Sequence, residues 1–448
     1  MKMDYDAFVI GTGVAGSSVA YKLMNSGMKV AVADKGRYGG TCALHGCVPK
    51  KILTGAADIV DACNRMVGSG TESHQRLEWP SIIELKDEIV NSLTDPKEKT
   101  FREAGIDTYH GKVSFHGSNT LAVDGKLISA KYIIATVGSR PRTIDIPGAD
   151  HLTTSDEFLD LKALPEKIIF AGGGYISFEF AHIAARAGAD VTIIHRGENV
   201  LNNFDPDLTN ILTDASEKAG IGIHTEQELL RIEKNRDSLT ITAFDRKSNS
   251  DVIYECDMIV HGMGRVAAID DLEPEKGKLD IEEGSIAVNE YLQSVSNPAV
   301  YAAGDCILPG PALTPTASLQ ANVVVSNILE GNKYTADYTG IASAVFTIPT
   351  LAAVGIAEKE ATERHTVIFN DMSGFYSSRR TNLKHAASKV IIEKDTGKVV
   401  GAHLIGPDAE DTINLFALAI GAGLTAEQVK KAMYAYPASS YDVRYMLK

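Results

Sequence analysis

The chain has 448 residues, 44% of them hydrophobic and 23% charged, and a formal net charge of −14. That length exceeds a single core and predicts about two to four domains. The acidic balance argues against nucleic acid as a partner, because phosphate binding needs a basic face. The five cysteines are odd in number and scattered. The start runs directly into a strand without a leader pattern, and the longest apolar run, near Leu415–Leu424, is too short for a bilayer. The expectation is a cytoplasmic protein with no membrane partner, in which a cycling disulfide is more natural than a lasting one.

Tyr5–Ile10 has the pattern of a buried strand. Gly11-Thr12-Gly13-Val14-Ala15-Gly16 follows, then a helix to about Ser26 and a second strand, Lys29–Ala33, ending at Asp34. This is a βαβ unit with a dinucleotide-binding turn. Gly11 permits the tight turn, Gly13 lets the backbone approach a pyrophosphate, and Gly16 lets helix and strand pack closely. The helix N-terminus receives the phosphate charge, and Asp34 stands where a carboxylate takes ribose hydroxyls.

Residues 39–51 read Gly-Gly-Thr-Cys-Ala-Leu-His-Gly-Cys-Val-Pro-Lys-Lys, with four residues between Cys42 and Cys47. In a regular helix that spacing rises ~7.5 Å along the axis, beyond the about 7 Å between Cα atoms that a disulfide tolerates. A distorted helical opening can bring the pair together, and Gly46 gives the backbone freedom for it. Pro49 suits the first turn of the next helix. A thiol at that helix N-terminus is biased toward thiolate. The competing readings are a zinc site and two inert buried cysteines. Zinc prefers two ligand pairs with shorter gaps and no second pair is present; inert cysteines leave the flanking Gly-Gly and Pro-Lys-Lys unexplained. A redox pair is favoured. The stretch resembles the redox-active helix of the flavin-dependent disulfide reductases, the group of glutathione reductase, dihydrolipoamide dehydrogenase, trypanothione reductase and mercuric reductase.

Residues 52–105 read mainly as helices, with Cys63 an ordinary packed cysteine and Trp79 undiagnostic. Residues 107–128 read as short strands. Tyr132–Pro141, a strand running into Ala135-Thr136-Val137-Gly138, resembles the family's crossover between flavin and nicotinamide domains. Residues 167–197 repeat the first unit: a strand Lys167–Ala171, a turn Gly172-Gly173-Gly174-Tyr175-Ile176-Ser177, a helix to about Ala187, and a strand Asp190–His195. Two such units imply two dinucleotides. His195 and Arg196 end the second strand in place of a carboxylate. Arginine can pair with a 2′-phosphate that a carboxylate would repel, so NADPH is expected over NADH. Only Arg196 matches the family's NADPH-binding arginines, since Asn202 occupies a plausible second position.

The resemblance supplies further roles. Tyr175 is similar to the lid that yields to nicotinamide. Glu179 is similar to the partner of the lysine beside the flavin, here Lys50, which shares a helix face with Cys47. Gly40, Thr41, Thr136 and Gly138 fall at cofactor-binding positions. Val300–Asp305 resembles the second flavin motif, with Gly304 giving room and Asp305 accepting a hydrogen bond from the ribitol chain. Leu313–Ala317 and a helix to about Leu329 match the segment along the flavin ring. Residues 210–262 are expected to alternate helix and strand. Cys256 is expected to be structural, and Cys306 has no role the family assigns.

The fold implied is α/β: a discontinuous FAD domain over residues 1–145 and 270–338, an inserted NAD(P) domain over 146–269, and a C-terminal α+β dimerisation domain over 339–448. In the last, strands near Lys389–Glu393 and Val399–Ile405 and an interface helix, Asp411–Ala422, are expected. One motif departs from the family. Where most members end in His-Pro-Thr with a glutamate five residues after the histidine, this chain has Tyr436-Pro437 and Tyr441. By analogy Tyr436 would act on the partner subunit's Cys42. Tyrosine, with a pKa near ~10, is a poor proton shuttle at neutral pH. His45, inside the redox loop, is a candidate replacement or an electrostatic aid to thiolate formation. The expected enzyme is a homodimeric, FAD-dependent NAD(P)H oxidoreductase. It passes electrons through Cys42 and Cys47 to a small disulfide or thiol-reactive substrate, with Cys47 beside the flavin and Cys42 attacking. The alternatives are reduction of mercury, another metal ion or a quinone, and an oxidase or transhydrogenase without thiol turnover.

Overall fold

A computed structural model describes residues 3–448. The chain divides into two compact units. One comprises residues up to 50, 85–142 and 265–338; the other comprises 51–84, 143–264 and 339–448.

The first unit is built on a parallel sheet. Tyr5–Ile10 lies at its centre, paired with Val30–Asp34 on one side and with the end of Lys126–Ala135 on the other. Asp107–His110 and Val300–Ala302 extend it, both in parallel. The central strand is buried along nearly its whole length, as expected of a parallel strand covered on both faces. The other end of Lys126–Ala135 joins an antiparallel ribbon with Thr120–Val123 and Val113–Gly117. Helices Val14–Asn25 and Thr314–Glu330 pack together over the sheet. The apolar faces of all these elements form one core. The strands Tyr5–Ile10, Val30–Asp34, Lys126–Ala135 and Val300–Ala302 end at or beside the glycines and acids singled out above.

The second unit holds another parallel sheet, Ile221–Thr225, Asp190–His195, Lys167–Ala171, Met258–His261 and Leu152–Thr153 in spatial order. The expected alternation of helix and strand over residues 210–262 stops at Thr225. From there the chain forms an antiparallel meander, Gln227–Lys234, Leu239–Asp245 and Ser250–Cys256. The reason is a period-two pattern: Leu239, Ile241 and Ala243 bury one face of the middle strand.

The C-terminal part of this unit is a five-stranded antiparallel sheet covered by Ala409–Gly421. That helix buries Ala409, Ile413 and Phe416 on its own sheet and leaves Leu418 exposed. Lys389, on the strand Ala387–Glu393, is almost fully buried. Its ammonium reaches Asp205 at 2.8 Å and Asp207 at 2.7 Å, and also bonds Glu358. Asp205 caps the helix Pro206–Lys218, so one ion cluster ties this sheet to the nucleotide-type sheet beside it. Among the described residues no helix is long and apolar enough to cross a membrane.

Candidate active site

The first glycine turn is shaped by backbone contacts that leave no space for a side chain at Gly11 or Gly16. Gly11 has φ +103°, and a Cβ on it would lie 2.4 Å from the Thr136 carbonyl oxygen. A Cβ on Gly16 would lie 2.0 Å from the Gly11 oxygen. Thr136 closes the turn by donating its hydroxyl to the Ile10 carbonyl at 2.8 Å. The helix Val14–Asn25 opens at Gly13 with no side-chain cap and no acid in its first turn, so its leading N–H groups are left to an anion. Thr12 anchors Asp34 by donating both its N–H and its hydroxyl. The Thr12 hydroxyl oxygen in turn accepts from Gly39 N–H at 3.1 Å. A Cβ on Gly40 would lie 2.3 Å from Gly13 Cα.

The redox segment is two helices with a break. Gly40–Leu44 ends at His45, and Cys47–Arg65 starts after Gly46. Gly46 folds onto the first helix so tightly that a Cβ would stand 2.9 Å from the Thr41 oxygen and 3.3 Å from Cys42 Cα. Thr41 is exposed on the first of these helices. Cys42 is half-buried, Cys47 is exposed, and both are thiols. Thr314 Oγ1 donates to Cys42 Sγ at 3.3 Å and shares a hydrogen bond with Cys47 Sγ at 3.4 Å.

The two thiols are driven apart in acidity. The hydrogen bond from Cys42 lowers the Cys47 thiol to about 6, helped by Thr314 and the Lys50 charge against an opposing effect of burial. Cys42 is raised by the same bond and by burial. The neighbouring Lys51 is engaged elsewhere, 2.9 Å from Glu410 and over the Phe346 ring. Of the two adjacent lysines, Lys50 is therefore the one whose charge acts on Cys47. His45 Nδ1 is buried with no hydrogen-bond partner.

The strand Val300–Ala302 delivers Gly304 and Asp305. Gly304 has φ +81°, and a Cβ on it would meet Ala15 and Ala317 at 3.8 and 3.9 Å, so these three small residues converge. Asp305 accepts from the Ser139 hydroxyl at 3.0 Å; Ser139 follows Gly138, which has φ +68°. Cys306 is buried, with its thiol pushed up to about 11 by burial, and packs as a structural residue.

In the second unit, Gly172 has φ +112°, and a Cβ there would lie 2.2 Å from the Gly262 oxygen. The helix Tyr175–Arg186 opens at Gly174, again without a side-chain cap or an early acid. Ser177, in the third glycine position, is fully buried against Gly262. Tyr175 is half exposed at the helix start. Glu179 is buried and accepts from Phe346 N–H at 2.9 Å. His195 is not turned outward with Arg196. Its Nδ1 accepts from Gly173 N–H at 3.0 Å, and burial lowers its pKa, keeping the ring neutral. Arg196 itself is exposed. Tyr436 is 71% exposed, stands edge-on to Tyr441, and lines a cavity of about 310 Å³ with Phe375, Tyr376 and Arg380.

Residues 5–321 match the family described as pyridine nucleotide-disulphide oxidoreductase, and residues 341–446 match the dimerisation domain of the same family. The chain is a pyridine nucleotide-disulphide oxidoreductase. It is 31% identical to a glutathione reductase of Burkholderia cepacia, over 97% of each chain. It is 29% identical to a mercuric reductase of Staphylococcus aureus, over 97% of this chain and 80% of that one. Among solved structures, the Cu(II) complex of the HOCl-induced flavoprotein disulfide reductase RclA from Escherichia coli superposes with a TM-score of 0.88 at 26% identity, covering 100% of this chain and 99% of that one.

A pyridine nucleotide-disulphide oxidoreductase binds FAD and uses NAD(P)H, and this one carries the matching dimerisation domain of a homodimer. The residues fit those groups. Two uncapped helix N-termini follow glycine turns whose first residues, Gly11 and Gly172, admit no side chain, the donor set a pyrophosphate needs. The Cys42–Cys47 pair fits the redox disulfide of this oxidoreductase. Four residues of these sites escape sequence reading: Thr12, Ser139, His195 as a brace, and Thr314. Thr12 alone had a local signal, a hydroxyl inside the first glycine turn and 22 residues before the acid it binds.

Proposed function

We propose that the enzyme draws electrons from NADPH and delivers them through Cys42 and Cys47 to the disulfide of a small thiol. The observation that carries this reading is the geometry of the pair: the Gly46 break folds back onto Cys42, and one hydroxyl, that of Thr314, reaches both sulfurs; the same arrangement lowers the Cys47 thiol and raises Cys42. A dithiol poised in that way offers one stable thiolate and one protonated sulfur that becomes the nucleophile on losing its proton. The first glycine turn and Asp34 would hold FAD, which would supply the two-electron link between the nicotinamide and the Cys42–Cys47 pair. Residues 1–145 and 270–338 form the FAD domain and 146–269 the NAD(P) domain. Gly11, Gly13, Gly16, Asp34, Gly40, Thr41, Thr136, Gly138, Gly304, Asp305 and Ala317 belong to the first dinucleotide site. Gly172, Gly174 and Tyr175 belong to the second.

Arg196 is exposed at the end of a strand that has no carboxylate there, which supports NADPH. Lys50 holds a positive charge beside Cys47 and stabilises its thiolate, and Glu179 keeps the role the resemblance gives it. A cycling thiol pair suits a reducing cytoplasm. Cys42→Ser is expected to abolish substrate turnover while NADPH still bleaches the bound flavin; loss of bleaching contradicts the assignment.

A second reading has a metal ion as oxidant. It is favoured by Tyr436 in place of the family's histidine, since an ion held by two thiolates needs no general acid. The mercuric reductase relative and the Cu(II)-bound structure support the same choice. Steady-state assays with glutathione disulfide, lipoamide, coenzyme A disulfide, Hg²⁺ and Cu²⁺ separate the two.

A further inference from the structure

Disulfide reduction consumes protons at sulfur. Tyr436 is ill-suited to supply them, and His45 Nδ1 has no hydrogen-bond partner; besides each other and the Cys47 main-chain N–H, the group bonded to both sulfurs is Thr314. Thr314 is the first residue of a 17-residue helix whose N-cap, Leu313, has no capping side chain. The Thr314 hydroxyl is committed instead to the sulfurs, at 3.3 Å from Cys42 and 3.4 Å from Cys47. A threonine hydroxyl has one proton and two lone pairs. It donates to one sulfur while accepting from the other, and rotation about the C–O bond exchanges the roles.

We propose that the Thr314 hydroxyl is a proton relay between Cys42 and Cys47, supplying within one subunit the proton transfer that this family otherwise assigns to a histidine. The proposal rests on the redox role of the Cys pair given above. In the reduced enzyme Cys47 is a thiolate and Cys42 a thiol. The Cys42 proton passes to Thr314 Oγ1 as the Thr314 proton passes to Cys47, and no electrons move. The Cys42 thiolate then attacks a substrate disulfide R–S–S–R. A Cys42–S–S–R bond forms, the substrate S–S bond breaks, and R–S⁻ leaves. The proton returns from Cys47 through Thr314 to that leaving sulfur, giving R–SH. The restored Cys47 thiolate displaces the second R–S⁻ and closes the Cys42–Cys47 disulfide. Two cysteine sulfurs are oxidised, two substrate sulfurs are reduced, and the one proton is conserved.

The charge that acts on the pair is that of Lys50 on the redox helix, and His45 stands in the loop between the two cysteines. Lys50 acts on Cys47 by charge, whereas Thr314 is bonded to both sulfurs. Removing the hydroxyl therefore has a signature that removing the charge lacks, because it takes away a hydrogen bond at each sulfur and not only the stabilisation of one thiolate.

The test uses FAD-loaded protein with Thr314→Val and Thr314→Ser. In the reduced proteins, iodoacetamide alkylation of Cys42 and Cys47 is followed separately by peptide mass across pH 5–9. Thr314→Val is expected to alkylate about tenfold more slowly at Cys47 near pH 6, a hydrogen bond to the thiolate having been lost. Its turnover with an alkyl disulfide is expected to fall about 10–100-fold. Turnover with an aryl disulfide, whose thiolate leaves without a proton, falls less. Thr314→Ser restores both readouts. A Thr314→Val protein with the parent alkylation profile and turnover overturns the relay, and so does a Thr314→Ser protein as impaired as Thr314→Val. Full turnover by Cys47→Ser overturns instead the redox reading beneath it.

Discussion

Thr12 donates twice to a single oxygen of Asp34, from its main-chain N–H at 2.9 Å and from its hydroxyl at 2.7 Å. The other oxygen accepts from Gly36 N–H at 3.1 Å. The carboxylate is thereby aimed before any ligand arrives, and its orientation costs nothing on binding. Replacing Asp34 with alanine is expected to weaken FAD binding by about 10–100-fold, the worth of one hydrogen bond to a charged group. Titration of FAD into stripped protein measures it, and an unchanged affinity removes Asp34 from the site.

The second nucleotide site is expected to choose its ligand through Arg196. Arg196→Gln should raise the KM for NADPH about tenfold and leave that for NADH unchanged. Steady-state kinetics with both nucleotides decides the matter; equal effects on the two would show that Arg196 does not read the 2′-phosphate.

Lys389 is a stability prediction independent of chemistry. Burial alone would lower its pKa, but the hydrogen bonds it donates to Asp205, Asp207 and Glu358 overcome that and raise it. Asp207 and Glu358 are half exposed and contribute little. Asp205 is fully buried, so Lys389→Met would strand its charge. The expected loss is about 3–5 kcal/mol, read as a lower midpoint of thermal unfolding.

Acid stability is expected to depend on His182. Its Nδ1 accepts from Ile348 N–H at 3.1 Å and from Arg186 at 3.2 Å, and its Nε2 is 2.9 Å from the Ser216 hydroxyl. Burial first, then the Arg186 charge, hold its pKa well below the ordinary value. The folded protein therefore resists a proton that the unfolded chain accepts. The stability this contributes is complete above about pH 6.5 and is lost as the pH falls below it. In His182→Gln the decline in thermal midpoint between about pH 6.5 and 5 should be shallower; an identical decline would assign the acid sensitivity to other groups.

Much of the architecture was readable from residue spacing, because backbone geometry leaves few substitutes. Gly11, Gly16 and Gly172 stand where a Cβ would collide with a carbonyl oxygen, so their positions mark the turns directly. The break between Cys42 and Cys47 followed from the rise of a helix and the freedom of Gly46. Features set by distant partners were not readable. Thr314 lies 267 residues from Cys47, and nothing in its neighbourhood distinguishes it from Thr316. His195 was not readable as a brace because the space beside Gly173 that its ring occupies exists only after folding. The strands after Thr225 were missed for a different reason: their alternation is short and interrupted by charged residues, so a helix–strand repeat looked equally natural.

The contact between Gly13 and Gly40 ties two functions that evolution would otherwise adjust separately. Any side chain at Gly40 would wedge apart the first glycine turn and the segment that carries the sulfurs. No variant there can retune one without disturbing the other, so descendants of this chain must change their nucleotide grip and their thiol chemistry at other positions.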